Sequence, residues 1–228
     1  TTIIDPKSNL VSAMAKGFGR MKDQIIIEAI TGNAITGIKG TSLTPFNSDN
    51  IVPFDGNSGL TGYDQKLTPA KLISAKTQLY KNNVDPSSRF ICIVDSIGYA
   101  DLMQSVQTTN TLYSGSANLV DGRLERFYGI EILCVGGDSS VGGSKGLGLP
   151  SRTATTEIVA GSSNTSGVVR NAIVCTADAV VQGTWKDLSF ILNNRPDLNN
   201  VKQIQGTFMG GATRIYEDKV VQVEYAIS

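Results

Sequence analysis

Cys92, Cys134 and Cys175 are the best nucleophiles in the chain, and the sequence has no histidine to activate them. A cysteine attacks as the thiolate, which needs a neighbouring base, a cation or a helix N-terminus to form at neutral pH. None is evident beside these three. They sit within or at the end of the apolar runs "FICIV", "IEILCV" and "AIVC". Their odd number, wide spacing and apolar setting read as free, buried thiols. Ordinary usage would give roughly four or five histidines in a chain of this length. Their absence removes Ser-His-Asp and Cys-His catalysis, imidazole acid–base chemistry and most zinc sites. The reading is therefore of a protein that is not an enzyme, with no catalytic, cofactor-binding or metal-binding residue assigned and no cofactor expected.

Other constellations carry little chemistry. "GGDSSVGGSKGLG" at 136–148 lacks the Gly-Lys-Ser/Thr ending of a phosphate loop, and no helix follows it. "FDGNSG" at 54–59 has oxygen ligands without calcium-loop spacing and reads as a turn. Asp5 with Glu28, and Asp187 with Asp197, have no sequence reason to converge. In "NNRPDLNN" Pro196 sets a turn, and Arg195 and Asp197 either pair across a subunit boundary or form a plain polar turn. Asn164 begins a glycosylation triplet of a kind common by chance. Lys16, Arg20 and Lys22 are the one local cluster of positive charge, with Asp23 beside them. On a helix such residues usually form a solvated face.

Twenty basic residues balance twenty acidic ones. A dedicated nucleic-acid binder needs clustered Lys and Arg, so this balance argues against one. Near-neutral surfaces also tend to associate. Nothing in the sequence marks a signal peptide or a membrane span.

The elements begin with a helix over 6–31, opened by Pro6 or capped by Ser8 and closed by Gly32. Leu10, Met14, Phe18, Met21 and Ile25 make one apolar stripe, widened by Val11 and Ile26 and expected to face the sheet that carries the last strand. Lys22 falls off that stripe. Gly17 and Gly19 imply a bend, a close neighbour or a plain surface position. Residues 33–66 read as a long loop with one or two short strands. Thr68 and Pro69 then open a second helix, whose face of Leu72, Ala75 and Leu79 is extended by Ile73 and Tyr80. "RFICIVD" is a buried strand, and a short helix starts at Ser96. "LVDGRLERFYGIEILCV" is strand, turn, strand. "NAIVCTADAVVQGTW" and "LSFILNN" are strands bracketing a turn. "TRIYEDKVVQVEYAI" is a hairpin-like pair whose last strand has one buried and one mostly polar face. The class is α+β.

Taken in order, these elements resemble the major capsid proteins of tailed bacteriophages, with the Hong Kong ninety-seven type fold. "VSAMAKGFGRMKDQIIIEAITGNAITGIKGT" looks like the family's spine helix and its exit. "TPAKLISAKTQLYKNNVDPSSRFICIVDSIGYADLMQ" looks like the helix, central strand and following helix of its axial domain. "GRLERFYGIEILCV", "AIVCTADAVVQGTWKDLSFILNNRPD" and "GATRIYEDKVVQVEYAI" look like its later strands. The resemblance covers nearly the whole chain from about residue 6, through co-linear order rather than any single motif.

It implies a long spine helix, a peripheral domain sheet and an axial domain with a central sheet flanked by helices. The corresponding segments are 1–66 (peripheral domain, spine helix and long loop), 67–190 (axial domain) and 191–228 (closing strands returning to the peripheral domain). It further implies a virion shell subunit made in the bacterial host cytoplasm. Its partners would be copies of itself in pentamers and hexamers, scaffolding, portal and decoration proteins, and packaged double-stranded DNA touched without base specificity. No membrane is involved. An encapsulin-type compartment shell is the alternative on the same fold. A non-catalytic tail or adhesin module is the alternative from another class, but no repeats or coiled segment support it. In the family an N-terminal arm and an extended hairpin, the E-loop, precede the spine helix, whereas about five residues do here. A processed subunit, a partial one, or upstream parts lying elsewhere are the alternatives, and no cross-linking lysine or asparagine is carried over.

Overall fold

A computed structural model describes residues 6–54, 66–105, 119–120, 123–135, 149, 151–153, 168–195 and 201–227. The motifs at 136–148, the turn at 55–59, Asp5, Asn164, Pro196 and Asp197 lie outside the described residues, as do the side chains of Leu10 and Arg195.

Helix α1 spans Pro6–Thr31, as its apolar period predicts. A small hairpin follows, β1 (Ala34–Thr36) with β2 (Ser42–Thr44), and then a short edge strand, β3 (Ile51–Val52). Helix α2 (Pro69–Lys81) starts at Thr68 with proline in its first turn. β4 (Phe90–Asp95) runs directly into α3 (Ser96–Gln104). A minor pair, β5 (Leu119–Val120) and β6 (Arg123–Leu124), precedes β7 (Arg126–Phe127) and β8 (Ile130–Val135). β9 (Ser151–Thr153), β10 (Val168–Thr176), β11 (Val180–Arg195), β12 (Val201–Arg214) and β13 (Val220–Ile227) complete the chain.

The central sheet is seven-stranded, in the order β3-β13-β10-β4-β8-β7, with β9 also on β10. β4 and β8 are parallel, so their connection must cross over the sheet, and α3 lies within that crossover. Leu72, Ala75 and Leu79 of α2 and Leu102 of α3 pack with Phe90, Cys92, Val94, Val174, Val221, Val223 and Tyr225 on one face. Ile27 and Ile30, at the C-terminal end of α1, pack with Ile173, Cys175, Ala179 and Val220 in a second cluster. Full burial of each such aliphatic side chain contributes about 1.5–3 kcal/mol.

Several expectations are corrected. "LSFILNN" is not a separate strand after a turn. It continues β11, which pairs with the unanticipated β12 in a long two-stranded ribbon. The tail is not a hairpin: β13 leaves the ribbon after a short 3-10 turn and pairs with β10 and β3 in the central sheet. That sheet thus draws strands from all three segments 1–66, 67–190 and 191–228. β13 is buried on both faces, including Gln222 and Glu224, because the sheet is covered on both sides: Val221, Val223 and Tyr225 pack with α2 and α3, Val220 with the end of α1 and Ala226 with Phe54.

The stripe on α1 is also displaced. Phe18 packs on the ribbon, edge-on to Phe190 at 6.0 Å between centroids, not on the sheet of the last strand. Only the last turns of α1 reach that sheet's cluster, through Ile27 and Ile30. Met21 is 50% exposed, whereas Lys22 faces the ribbon, its ammonium 4.6 Å from the Phe208 ring centroid. Ile73 is exposed and does not extend the α2 core face, whereas Tyr80, though partly exposed, sits edge-on to the buried Phe90 at 6.0 Å between centroids. A Cβ on Gly17 or Gly19 would meet nothing within 4 Å, so neither has a close neighbour.

Candidate functional site

Three buried polar groupings stand out, and each has a structural role visible in its bonds. Asp95, the last residue of β4, caps α3 by accepting from the Gly98 amide at 2.7 Å. The same carboxylate accepts from Arg170 of β10 and from the Tyr225 hydroxyl of β13. Burial and the adjacent Asp95 carboxylate push the Tyr225 phenol well above its ordinary range. Gly98 permits this packing: a Cβ there would lie 2.8 Å from Val94, 3.0 Å from the Tyr225 ring and 3.1 Å from Leu67. The grouping joins three strands and a helix and does not open onto a cleft.

Lys71 of α2 is completely buried. Its ammonium donates to the carbonyls of Lys66 at 2.8 Å, Phe54 at 3.0 Å and Glu224 at 3.4 Å. It ties the start of α2 to β13 and to the stretch just beyond β3.

Arg214, at the end of β12, caps the far end of α1. One guanidinium nitrogen donates to Ile30 O at 2.6 Å and Gly32 O at 2.9 Å, satisfying carbonyls that a helix C-terminus leaves open. The rest of the group pairs with Glu217, at 2.9 and 3.1 Å. Glu217 in turn accepts from the Asn47 amide at 2.7 Å. Ala179 O accepts from Ile215 N at 2.9 Å. Helix end, ribbon base and central sheet are thereby knotted at one place.

The cysteines divide. Cys92 and Cys175 are buried as expected, and burial pushes each thiol up to about 12. Cys134 is exposed, contrary to expectation, because its side chain leaves the covered part of β8. Its thiol is also raised, by partial desolvation and by Asp95. All three are therefore thiols at neutral pH, with none of the lowering that marks a nucleophile.

Lys16 and Arg20 are exposed, and Lys22 makes a loose pair with Asp187 at 3.7 Å. Glu28 accepts from Gln24 at 2.8 Å. Among the described residues no group of three or more His, Cys, Asp and Glu side chains could hold a metal, and no helix is long and apolar enough to cross a membrane. An open groove of about 380 Å³ lies between α2 and β3, lined by Ile51, Pro53, Ile73 and Lys81. Its polar lining is Asp49, Ser74, Thr77, Gln78 and Lys81, of which Thr77 is spent on the Ile73 carbonyl at 2.9 Å and Gln78 on the Asp49 carbonyl at 3.2 Å.

What the surface does present is apolar. Ile35, Ile38 and Leu43 project from the β1–β2 hairpin, and Val181, Trp185, Ile191 and Met209 from the ribbon. Such patches mark association surfaces rather than reaction centres.

The comparisons with known proteins point the same way. Residues 1–227 match the family described as phage capsid protein. The chain belongs to that family. It is a structural subunit, a major capsid protein of the tailed-phage type. No curated protein sequence matches it. Among solved structures it is similar to the capsid of cyanophage P-SCSP1u, at 18% identity and a TM-score of 0.61, covering 100% of this chain and 68% of that one. It is similar to the cyanophage Pam1 capsid at 14% and 0.64, covering 99% and 70%. It is also similar to a Mycobacterium phage Che8 structure at 17% and 0.56, covering 94% and 61%. These likenesses show the Hong Kong ninety-seven type fold, α+β as expected. The capsid subunit spans roughly two thirds of the length of each of those chains.

The buried Asp95, Arg170, Lys71 and Arg214 were not identified from sequence. The only trace of them is an Asp immediately before a helix start, which fits an N-cap. The other three carry no local signal.

Proposed function

We propose that this subunit tiles, in rings of five and six, a closed icosahedral shell around the double-stranded DNA of a tailed phage. The observation that carries the reading is the family match over 1–227 on a fold whose polar groupings are internal ties and whose unpaired features are apolar surfaces. A shell subunit needs rigid cores and associating edges, and no catalytic group. In this reading α1 with the β11–β12 ribbon is the peripheral arm. The seven-stranded sheet with α2 and α3 is the axial body. Segments 33–66 and 136–167 are among those that touch neighbouring copies. Scaffolding, portal and decoration proteins are the further partners, and synthesis is in the host cytoplasm.

Electron microscopy of the purified chain, concentrated under assembly conditions, tests this. Closed, regular particles support it, and a chain monomeric at every concentration rules it out. Particles filled with protein cargo rather than nucleic acid would favour the encapsulin alternative. Hydrogen exchange should slow in 33–66 and 136–167 on assembly. Equal exchange in free and assembled chains removes those segments from the contacts.

A further inference from the structure

Trp185 is the only tryptophan in the chain, and it is 91% exposed. Its position is a product of ribbon geometry. Thr184 pairs with Gly210 and Lys186 with Met209, so Trp185 is the extra residue of a bulge with no partner across the ladder. Bulges re-aim side chains. Helix α1 covers one face of the ribbon, through Phe18 on Phe190 and Gly206 and Lys22 on Phe208. Strand alternation turns Ile191 and Met209 to the opposite face, where both are about half exposed.

The β1–β2 hairpin presents a second apolar surface. Ile35 and Leu43 are directly opposite each other and exposed, and Ile38 at the turn is 107% exposed. A hairpin with three-residue strands is marginal by itself. Lys39 is the one charged residue in 33–45. The outward ribbon face carries Ser189, Gln205 and Thr207 near Ile191, and Lys186 stands on it opposite Met209. Lys39 and Lys186 can keep their ammonium groups in water at the rim of a contact while their stems cover apolar surface.

We propose that the hairpin of one copy docks on the outward ribbon face of a second copy, with Trp185 as the anchor. The occupant is another copy of this chain because each surface exposes three large apolar side chains, Ile35, Ile38 and Leu43 on one and Trp185, Ile191 and Met209 on the other, and the subunit belongs to the phage capsid family. A buried tryptophan at such a contact is a typical energetic centre. The two patches differ, so the contact is head-to-tail, which closes into rings when the rotation permits. The inference rests on the shell reading above.

The intact chain is followed across its assembly concentration by Trp185 emission and quencher access, with particles counted by sedimentation and microscopy. Emission should shift to shorter wavelength and the indole become protected as particles form. Ile38→Asp alters a side chain that is free in the monomer, so its far-ultraviolet dichroism should be unchanged. It should raise the concentration needed for assembly by at least about tenfold and abolish the emission shift. Trp185→Ala should raise that concentration similarly. Regular shells whose Trp185 stays open to quencher, or an Ile38→Asp chain assembling like wild type, would overturn the docking while leaving the shell reading intact. A shifted emission in the dilute monomer would place the occupant within the same chain and also overturn it. Wild-type chain that never assembles would sink both.

Discussion

Arg214 ties the end of α1 to the ribbon base and to the turn before β13. It caps α1, pairs with Glu217 and lies over the Phe46 ring at 4.9 Å. Arg214→Met keeps the stem and removes the charge. It should lower stability by about 3 kcal/mol, because the helix carbonyls and the Glu217 carboxylate lose their partner together. A urea midpoint unchanged from wild type would show that the cap is dispensable. The buried thiols set a different test. Cys92 and Cys175 hold their protons to about pH 12 in the folded chain, against an ordinary value of 9.0. Between those values the folded state binds more protons than the unfolded one. Their contribution is therefore complete below pH 9 and is lost as pH rises through 12, at up to about 1.4 kcal/mol per pH unit for each thiol. Denaturation curves from pH 8 to 11 should show this decline, and the double variant Cys92→Ala, Cys175→Ala should flatten it. An equally steep decline in the variant would assign it to other groups, Tyr225 first.

At the scale of elements, α1 is a long helix that leans on a two-stranded ribbon and is fastened at one end. The lean is tight at one point. A Cβ at Gly206 would lie 2.6 Å from the Phe18 ring and 3.0 Å from Phe190. Gly206→Ala should destabilise by about 1–3 kcal/mol through overpacking. Phe18→Ala should cost about 2 kcal/mol, below the 3–5 of a fully buried ring, because Phe18 is only half-buried. With Phe18 removed, Gly206→Ala should cost less than it does in wild type, only the 3.0 Å approach to Phe190 remaining. Strict additivity in that double-mutant cycle would mean the two do not touch. On the outward side of the same helix the opposite holds. Gly17→Ala and Gly19→Ala meet open space and should each stabilise the free subunit by about 0.4–1 kcal/mol. A loss of thermal stability in either would reveal a contact on that face.

For the whole molecule, charge balance and the exposed apolar side chains of hairpin and ribbon favour self-contact over contact with nucleic acid. Twenty positive and twenty negative residues leave no net attraction to a polyanion. The cluster on α1 is weakened further by the Lys22–Asp187 pair. A binding titration against several unrelated duplexes should give weak affinity, a shallow salt slope and no sequence preference. Tight binding to one duplex that survives moderate salt would make the chain a specific DNA reader instead.

The sequence by itself determined the elements whose signal is local. Periodicity and capping placed α1 at 6–31 and the start of α2 at Thr68–Pro69, and apolar runs placed β4 and β10. The order of those elements was enough for the resemblance to phage capsid proteins, because co-linear order survives where identity does not. The partners were not legible. Whether β13 folds back on β12 or crosses to β10 depends on which distant strand offers the better covered edge, and alternation in "VVQVEYAI" is the same in both cases. The same limit hid the buried polar residues. Lys71 sits on α2 where its type predicts solvent, and carbonyls brought from three parts of the chain, those of Phe54, Lys66 and Glu224, help make its burial tolerable. Trp185 is the converse. Nothing local in "QGTWKD" announces its exposure, and one extra residue in a ladder, set by pairing with a strand the sequence did not announce, turns it to the outside.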